Sequence, residues 1–164
     1  MEAYYFFKTN NFLHAGTYTH TPLICATGLA VVQYLEHHQL VERSAKQGEK
    51  LHWALKSSIE GLPYVGKIRG KGLFAGIELL LNPEARTPFP RKMQAVEKWV
   101  SLAASNHGLI LWPNVGHLNG ADGDLVILAP PFSITDEELH LLLEKLRLSL
   151  QDFSQWAAQT QSGV

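Results

Sequence analysis

The chain has 164 residues, of which 46% are hydrophobic and 18% are charged, and its formal net charge is −1. This composition is typical of one soluble domain, and the near-neutral charge excludes a broad electrostatic surface for nucleic acid or anionic membranes. A single cysteine, Cys25, excludes an intramolecular disulfide and favours a reducing compartment. No apolar run approaches the roughly 20 residues that span a bilayer, and the N-terminus lacks signal-peptide features. These features predict a cytoplasmic protein.

The N-terminal segment, residues 1–22, is predicted to be extended or irregular. It ends at Thr21 and Pro22, which predict a helix start with threonine as the N-cap. A helix is expected over residues 23–38. Because few polar residues interrupt it, we expect most of its surface to be buried, with Cys25 as a core thiol.

A second helix is predicted over residues 41–59. Its apolar residues lie on one side and its charged residues on the other, and Gly61 follows as a C-terminal stop. We interpret residues 23–60 as a helical arm that precedes the rest of the fold.

Beyond residue 60 the hydrophobic period changes to that of strands. The predicted elements are strands at residues 64–68 and 73–81, a proline-rich loop at 82–91, a helix at 93–106, strands at 109–112 and 125–129, and a helix from 135 to about 158. Residues 69–72 are interpreted as a glycine turn and not as a phosphate loop, because they lack the Gly-Lys-Ser/Thr ending. Residues 61–164 therefore predict an α+β fold, a small and mostly antiparallel sheet with helices packed on one face.

Several short motifs follow one another along the chain. They read HAGTYTHTP at residues 14–22, VGKIRGKGL at 65–73, GLILWP at 108–113 and GDLVILAPPFSIT at 123–135. In this order they resemble the C-terminal portion of the class III aminotransferases, which depend on pyridoxal phosphate. The resemblance covers roughly residues 12–155 and implies the C-terminal domain of a fold-type I enzyme. One departure is Ala15, which stands where the family string has glycine.

The Thr-Tyr string has a role in that family, where its threonine contacts the phosphate of the pyridoxal phosphate held by the neighbouring subunit. The resemblance carries this cofactor-binding role to Thr17, with Tyr18 beside it. A hydroxyl suits a dianionic phosphate, since it can donate a hydrogen bond to the charged oxygens. The alternative is that Thr17 only caps a turn.

The late strand differs from many family members, which carry there an arginine that binds a substrate carboxylate. This chain has Trp112 at the matching position, which argues against a carboxylate clamp there. We interpret Trp112 and Asn114 as walls of a substrate pocket. The eight histidines lack metal-binding spacing, so no metal site is expected.

The resemblance also implies a Schiff-base lysine for the cofactor and an aspartate for its ring nitrogen, both located before the Thr-Tyr string. Lys8 is the one lysine that precedes Thr17 in this sequence, and its surroundings do not resemble the family's lysine segment. We therefore predict no catalytic residue in this chain and no activity of the chain alone.

Three interpretations stay open. The chain is part of an aminotransferase that moves an amino group between an amine or amino acid and a 2-oxo acid or aldehyde. It acts beside a separate large-domain chain. Or it is a non-catalytic binding module derived from the small domain. The first interpretation predicts a homodimer and exposed apolar surfaces, including the aromatic residues 4–7.

Overall fold

A computed structural model of the chain describes residues 16–118 and 120–162. Lys8 and the aromatic residues 4–7 lie outside the described residues. The chain divides into two compact units, Met1–Val41 and Glu42–Val164. No helix among the described residues is both long enough and apolar enough to cross a membrane.

The complete helix of the first unit is α1, Pro22–His37, which begins at the predicted proline. Thr21 does not cap it with its side chain, because the hydroxyl donates to the carbonyl oxygen of Tyr18 at 2.8 Å. The predicted burial of this helix is wrong, since none of its residues is buried, and Cys25 is exposed. Burial needs a second layer, and the described residues of this unit supply one complete helix.

Helix α2, Leu40–Ile59, lies where the second helix was predicted. Its buried apolar residues Leu51, Leu55 and Ile59 recur every fourth residue and belong to the core of the second unit. The C-terminal half of α2 therefore packs with the sheet of the second unit. Gly61, with a φ of +85°, follows the helix end.

The second unit contains a four-stranded antiparallel sheet, as predicted, and its strand order is β1-β2-β4-β3. The strands are β1 Val65–Lys71, β2 Phe74–Leu79, β3 Trp112–Asn114 and β4 Asp124–Leu128. The remaining elements are a 3₁₀ turn, Arg91–Met93, and the helices α3, Ala95–His107, and α4, Asp136–Ser162. The α+β fold class is therefore confirmed.

The turn between the first two strands is shorter than predicted. Arg69, Gly70 and Lys71 pair with β2, which leaves a connection of two residues that begins at Gly72 with a φ of +56°. At Gly70 a Cβ would lie 1.9 Å from the carbonyl oxygen of Phe74. Glycine therefore allows the two strands to approach closely here.

Strand β3 begins later than predicted. Gly108 ends α3 in the left-handed conformation with its N–H bonded to the helix, and the N–H of Leu109 donates to the carbonyl oxygen of Ala103 at 3.0 Å. Leu109 and Leu111 are buried in an extended connection. The ladder with β4 begins at Trp112 because the preceding residues terminate the helix.

The core lies between the sheet and the helices α2, α3 and α4. The inward sheet residues are Ala75, Ile77, Leu79, Val126 and Leu128. Phe153 of α4 contacts four aromatic rings at centroid distances of 5.6–6.3 Å, those of Tyr64, Phe89, Trp99 and Trp156. The indole N–H of Trp99 donates to the hydroxyl of Ser149 at 2.9 Å, so the largest core residue keeps its polar atom satisfied.

Candidate functional site

Thr17 and Tyr18 lie in a turn directly before α1, and both side chains are exposed. Thr19 closes this turn, because its hydroxyl accepts from the N–H of Gly16 and donates to the carbonyl oxygen of Gly16, both at 2.6 Å. Among the described residues, no hydrogen bond involves the Thr17 hydroxyl. Thr19 therefore closes this turn with its side chain.

This turn has the donors that a phosphate group needs. The Thr17 and Tyr18 side chains are open to a ligand, and hydroxyls bond strongly to charged phosphate oxygens. The first turn of the adjacent helix α1 carries no acidic side chain, so no carboxylate there repels an anion. The residues present thus fit a phosphate, and the turn contains no lysine or arginine.

The face of the sheet turned away from the helices is the second candidate region. We call it the open face and define it by the outward residues of its strands: Lys67, Arg69, Phe74, Gly76, Glu78, Leu125, Ile127, Trp112 and Asn114. All except Trp112 and Asn114 line a concavity of about 580 Å³. Trp112 pairs with Ile127 and Asn114 with Leu125, which places these two side chains on the same face.

Trp112 and Asn114, the predicted pocket residues, lie on the edge strand of the open face. Trp112 is 69% exposed. Asn114 is half-buried, and its side-chain oxygen lies 3.1 Å from Nε2 of His117. They belong to the second unit, whereas Thr17 and Tyr18 belong to the first.

Glu78 is the carboxylate at the centre of the open face. Its Oε2 accepts the backbone N–H of Lys67 at 3.0 Å, and its Oε1 accepts from Arg86 at 3.3 Å. The guanidinium of Arg69 lies 3.8 Å from Oε1, longer than a hydrogen bond, and its side chain is 70% exposed. The Arg69 donors therefore remain accessible on this face.

Asp124 lies at the edge of the same concavity but is itself buried. Burial raises the pKa of its carboxyl, whereas the N–H of Val96 bonds to it and opposes the rise. Nearby, Arg91 forms a two-pronged pair with Glu97, and this hydrogen bonding lowers the pKa of Glu97. Asp124 thus bonds to the first turn of α3, which Gln94 does not cap with its side chain.

Arg43 is a connecting residue that its sequence context does not predict. Its Nε donates to the carbonyl oxygen of Phe132 at 2.7 Å, and its Nη2 donates to those of Ser133 and Ile134 at 3.2 and 3.0 Å. These hydrogen bonds connect the start of α2 to the loop before α4. Residues 41–43 resemble a helix junction of the family, but their sequence does not indicate a contact with carbonyls about 90 positions away.

Candidates for covalent cofactor attachment or metal binding are few. No lysine is buried among residues 16–118 and 120–162. In the same part of the chain, no group of three His, Cys, Asp or Glu side chains is arranged to hold a metal ion.

Comparison with known proteins gives a consistent result. The family profile described as Aminotransferase class-III matches residues 2–150. An uncharacterized aminotransferase of Schizosaccharomyces pombe is 37% identical over 130 residues, which are 79% of this chain and 28% of that protein. An ornithine aminotransferase of Bacillus cereus is 35% identical over 137 residues, which are 84% of this chain and 29% of that protein. The chain belongs to the class III aminotransferase family.

Solved structures agree with this assignment. An aminotransferase of Bacillus anthracis superposes with a TM-score of 0.75 at 32% identity, over 88% of this chain and 31% of that chain. The matched region makes up about the same fraction of this enzyme's length as of the lengths of the sequence relatives. The chain therefore spans somewhat less than a third of the length of the relatives that it matches.

Proposed function

We propose that this chain is the C-terminal part of a pyridoxal-phosphate-dependent aminotransferase and acts only when the remaining part of the fold completes it. One observation carries the proposal: the family profile covers residues 2–150, yet the chain spans only 28–31% of the relatives' length. The completed protein would transfer an amino group between an amine or amino acid and a 2-oxo acid or aldehyde.

In this proposal Thr17 and Tyr18 bind the phosphate of a pyridoxal phosphate held by a neighbouring subunit. Pyridoxal phosphate, when bound, supplies the electron-withdrawing ring on which amino groups are transferred. The exposed side chains of both residues, and the absence of a described hydrogen bond at the Thr17 hydroxyl, support this assignment. Their role in this proposal is to hold the phosphate in place.

Trp112 and Asn114 are proposed to form part of the substrate pocket. The exposed indole offers a flat apolar wall and no charge. The Asn114 side chain, in contact with His117, offers polar atoms beside it. The large part of the fold would supply the remaining walls and any group that binds a substrate carboxylate.

The partner in this proposal is either a second complete subunit, as a homodimer, or a separate chain that carries the large domain. Support comes from α1, whose apolar residues are exposed, among them Leu23 at 75%, Leu29 at 59% and Tyr34 at 59%. Patches of this kind mark surfaces that another protein covers. A cytoplasmic location remains part of the proposal and is supported by the single, exposed cysteine.

The alternative function is a non-catalytic binding module. It is favoured by the closed core of Glu42–Val164, in which Leu51, Trp99 and Phe153 are fully buried. A unit with its own core can persist without the large domain. This alternative predicts a folded, inactive chain whose addition to the large part of a related enzyme restores no activity.

The direct test mixes the purified chain with pyridoxal phosphate and treats it with borohydride. We expect no covalent lysine adduct by mass spectrometry and no transamination. The same assay is then applied to a chimera in which this chain replaces the matched part of the Bacillus anthracis aminotransferase, where we expect a reduced adduct and activity. An adduct on one specific lysine of the isolated chain would refute the proposal.

The phosphate assignment is tested in the same chimera. We expect Thr17→Ala to weaken pyridoxal phosphate binding by about tenfold, as the loss of one charge-assisted hydrogen bond predicts. Thr27→Ala is the control, because Thr27 bonds only within α1, to the carbonyl oxygen of Leu23. Equal affinities of the two variants would remove Thr17 from the cofactor site.

A further inference from the structure

A groove between two helices belongs to neither candidate region described above. It lies between the middle of α2 and the first two turns of α4, and its volume is about 470 Å³. Ala54, Leu139 and Leu143 supply its apolar lining, and Trp53 stands beside them with 73% of its surface exposed. The groove shares no lining residue with the concavity of the open face. We call it the α2–α4 groove.

Trp53 is exposed although apolar side chains lie next to it. Within the part of the chain that the structure describes, no aromatic ring and no cation lies against its indole. Trp99, in contrast, is buried in the core and has its indole N–H bonded to Ser149. Tryptophan is enriched at the energetic centres of protein interfaces, where a few large side chains carry most of the binding energy.

The charges of the α2–α4 groove leave one carboxylate without a partner. The ionisable side chains that line it are Glu49, Lys50, Asp136 and His140. Lys50 is already engaged, since its ammonium donates to both carboxylate oxygens of Asp136 at 2.7 and 2.8 Å. Glu49 is exposed and forms no hydrogen bond or ion pair with any described residue. The free charge in this groove is therefore negative.

The unpaired carboxylate and the exposed indole lie close together on one helix. Glu49 and Trp53 are four positions apart on α2, which places their side chains one turn apart on the same face. A carboxylate beside an aromatic face fits a guanidinium, which pairs with the carboxylate through its N–H groups and stacks on the indole. An ammonium lacks this planar, two-pronged geometry. The groove therefore favours arginine over lysine.

The exposure of the lining residues distinguishes a free small molecule from a side chain of a protein. Pockets for small ligands enclose most of the ligand's surface, whereas Glu49, Trp53 and His140 are all exposed here. A polypeptide brings neighbouring residues that exclude water around an inserted anchor. Ala54 and Leu143, both half-buried, offer apolar contacts for such neighbours.

We propose that the α2–α4 groove is a docking site for a partner polypeptide that inserts an arginine side chain between Glu49 and Trp53. Apolar residues on either side of this arginine contact Ala54 and Leu143. The proposal goes beyond the proposed function and does not depend on it, because it uses no residue of the Thr17 turn, the open face or the substrate pocket. It gives the chain a protein-binding site on its helical layer.

The test titrates the purified full chain with three blocked peptides that differ only in a central residue flanked by leucines. That residue is arginine in the probe, citrulline (its uncharged isostere) in the control and lysine in the third peptide. Fluorescence anisotropy of labelled peptides measures affinity, and the chimera described above is titrated in the same way. We expect the arginine peptide to bind roughly fivefold or more tightly than the citrulline peptide, and the lysine peptide to lie between them.

The location of binding is read from the indole N–H signals in nuclear magnetic resonance spectra of the isolated chain. We expect the arginine peptide to shift the Trp53 signal, which Trp53→Phe identifies by its loss. The signals of Trp99, in the core, and of Trp112, on the open face, should stay in place. They serve as internal controls for a buried and for an exposed indole outside the groove.

Two substitutions separate the contributions of charge and of the aromatic face. Glu49→Gln should weaken the arginine peptide about three- to fivefold and leave the citrulline peptide unchanged. Glu84→Gln is its control, because Glu84 is an exposed carboxylate that does not line the groove. Trp53→Leu keeps an apolar side chain and should weaken the arginine peptide about as much. Circular dichroism verifies that the variants fold, as exposed positions allow.

Three outcomes would overturn the docking site. Equal affinities of the arginine and citrulline peptides would show that the groove does not recognise the charge. A titration that shifts the Trp112 signal and leaves that of Trp53 in place would move the peptide to the open face. Methylguanidinium that binds as tightly as the arginine peptide would make the groove a small-molecule site. Each outcome leaves the proposed function intact, since that function is tested by cofactor binding and transamination in the chimera.

Discussion

The sequences indicate that helix α1 is more buried than helix α4, whereas the structure shows the reverse. Among the residues of α1 only Glu36 carries a formal charge, and none of its residues is buried. Helix α4 begins with three acidic residues and carries further charges, yet it buries five apolar residues: Leu139, Leu146, Leu150, Phe153 and Ala157. The apolar content of a helix therefore indicates that its surface is suited to a contact, whereas its burial depends on whether another layer of the fold packs against it.

Truncating one large side chain in each helix should show the largest difference between α1 and α4. Phe153→Ala should lower the free energy of unfolding by about 3–5 kcal/mol, because it leaves a cavity among four aromatic rings. Leu29→Ala, at an exposed site of α1, should lower it by less than about 0.5 kcal/mol. Urea unfolding followed by circular dichroism measures both. Similar losses would mean that α1 is covered in solution.

The next effect concerns Arg43, which connects the start of α2 to the loop before α4. Arg43→Ala should cost about 1–2 kcal/mol of unfolding free energy, because three backbone carbonyls lose a charged donor at a partly exposed site. Arg43→Lys should recover only part of this loss, since an ammonium lacks the planar fork. Lys46→Ala serves as the control in the same urea experiment, and a cost equal to that of Arg43→Ala would contradict the assignment.

A smaller effect separates the two helix starts. At α4 the Thr135 hydroxyl accepts the N–H of Glu138 at 3.1 Å, and the Glu138 carboxylate accepts the N–H of Thr135 at 2.9 Å, which is a capping box. Thr135→Ala should therefore cost about 1 kcal/mol. Thr21→Ala should cost less than about 0.3 kcal/mol, because the Thr21 hydroxyl bonds outside α1. Thermal unfolding of both variants tests the difference, and a reversed order would disprove it.

The smallest expected effect is the pH dependence of the contribution that Asp124 makes to the free energy of unfolding. Because burial raises its pKa in the folded state, the folded chain holds this proton more tightly than the unfolded chain. Its contribution to stability is complete below the unfolded pKa and is lost as the pH rises through the folded pKa. Glu97, Asp136 and Asp152 have lowered pKa values and act in the opposite direction, losing their contribution as the pH falls.

Asp124→Asn isolates this contribution. The asparagine keeps an oxygen that can accept the N–H of Val96 but does not ionise. Wild-type stability minus that of Asp124→Asn should decrease as the pH rises from about 4 to 7, measured as unfolding free energy in urea. A difference that increases with pH would show that the ionised carboxylate is favoured, and would contradict its desolvation.

Most of the second unit could be predicted from the sequence, because local signals agree with its packing. The helices predicted at residues 93–106 and from 135 onward are present as α3 and α4, and Val96, Trp99 and Ala103 form the buried side of α3. The errors occur where a distant contact decides the outcome. The first strand extends past Arg69 because Gly70 lets the strands approach, and β3 starts late because Gly108 and Leu109 terminate α3.

The candidate site could be predicted only in part, for a related reason. The family motifs identify Thr17, Tyr18, Trp112 and Asn114, and the structure shows them accessible, but their roles stay predictions. The contacts of Arg43 could not be predicted from the sequence, because they join residues 89 positions apart in the chain. The contacts of Glu78 with Lys67 and Arg86 depend on how the strand and the following loop fold back on each other, which the sequence pattern does not report. Periodicity reports which side of an element is apolar, but not which distant group meets it.

The strand order has a consequence for how the chain folds during its synthesis. Strand β4 lies between β2 and β3 and must be made before either can complete the sheet. The core needs Phe153 of α4, which reaches back to Tyr64, 89 positions earlier in the chain. Such long-range closure gives a high contact order and slow folding. Before α4 is made, the helix-facing side of the sheet lacks the residues that bury it, and this exposed apolar surface is the kind that favours aggregation during folding.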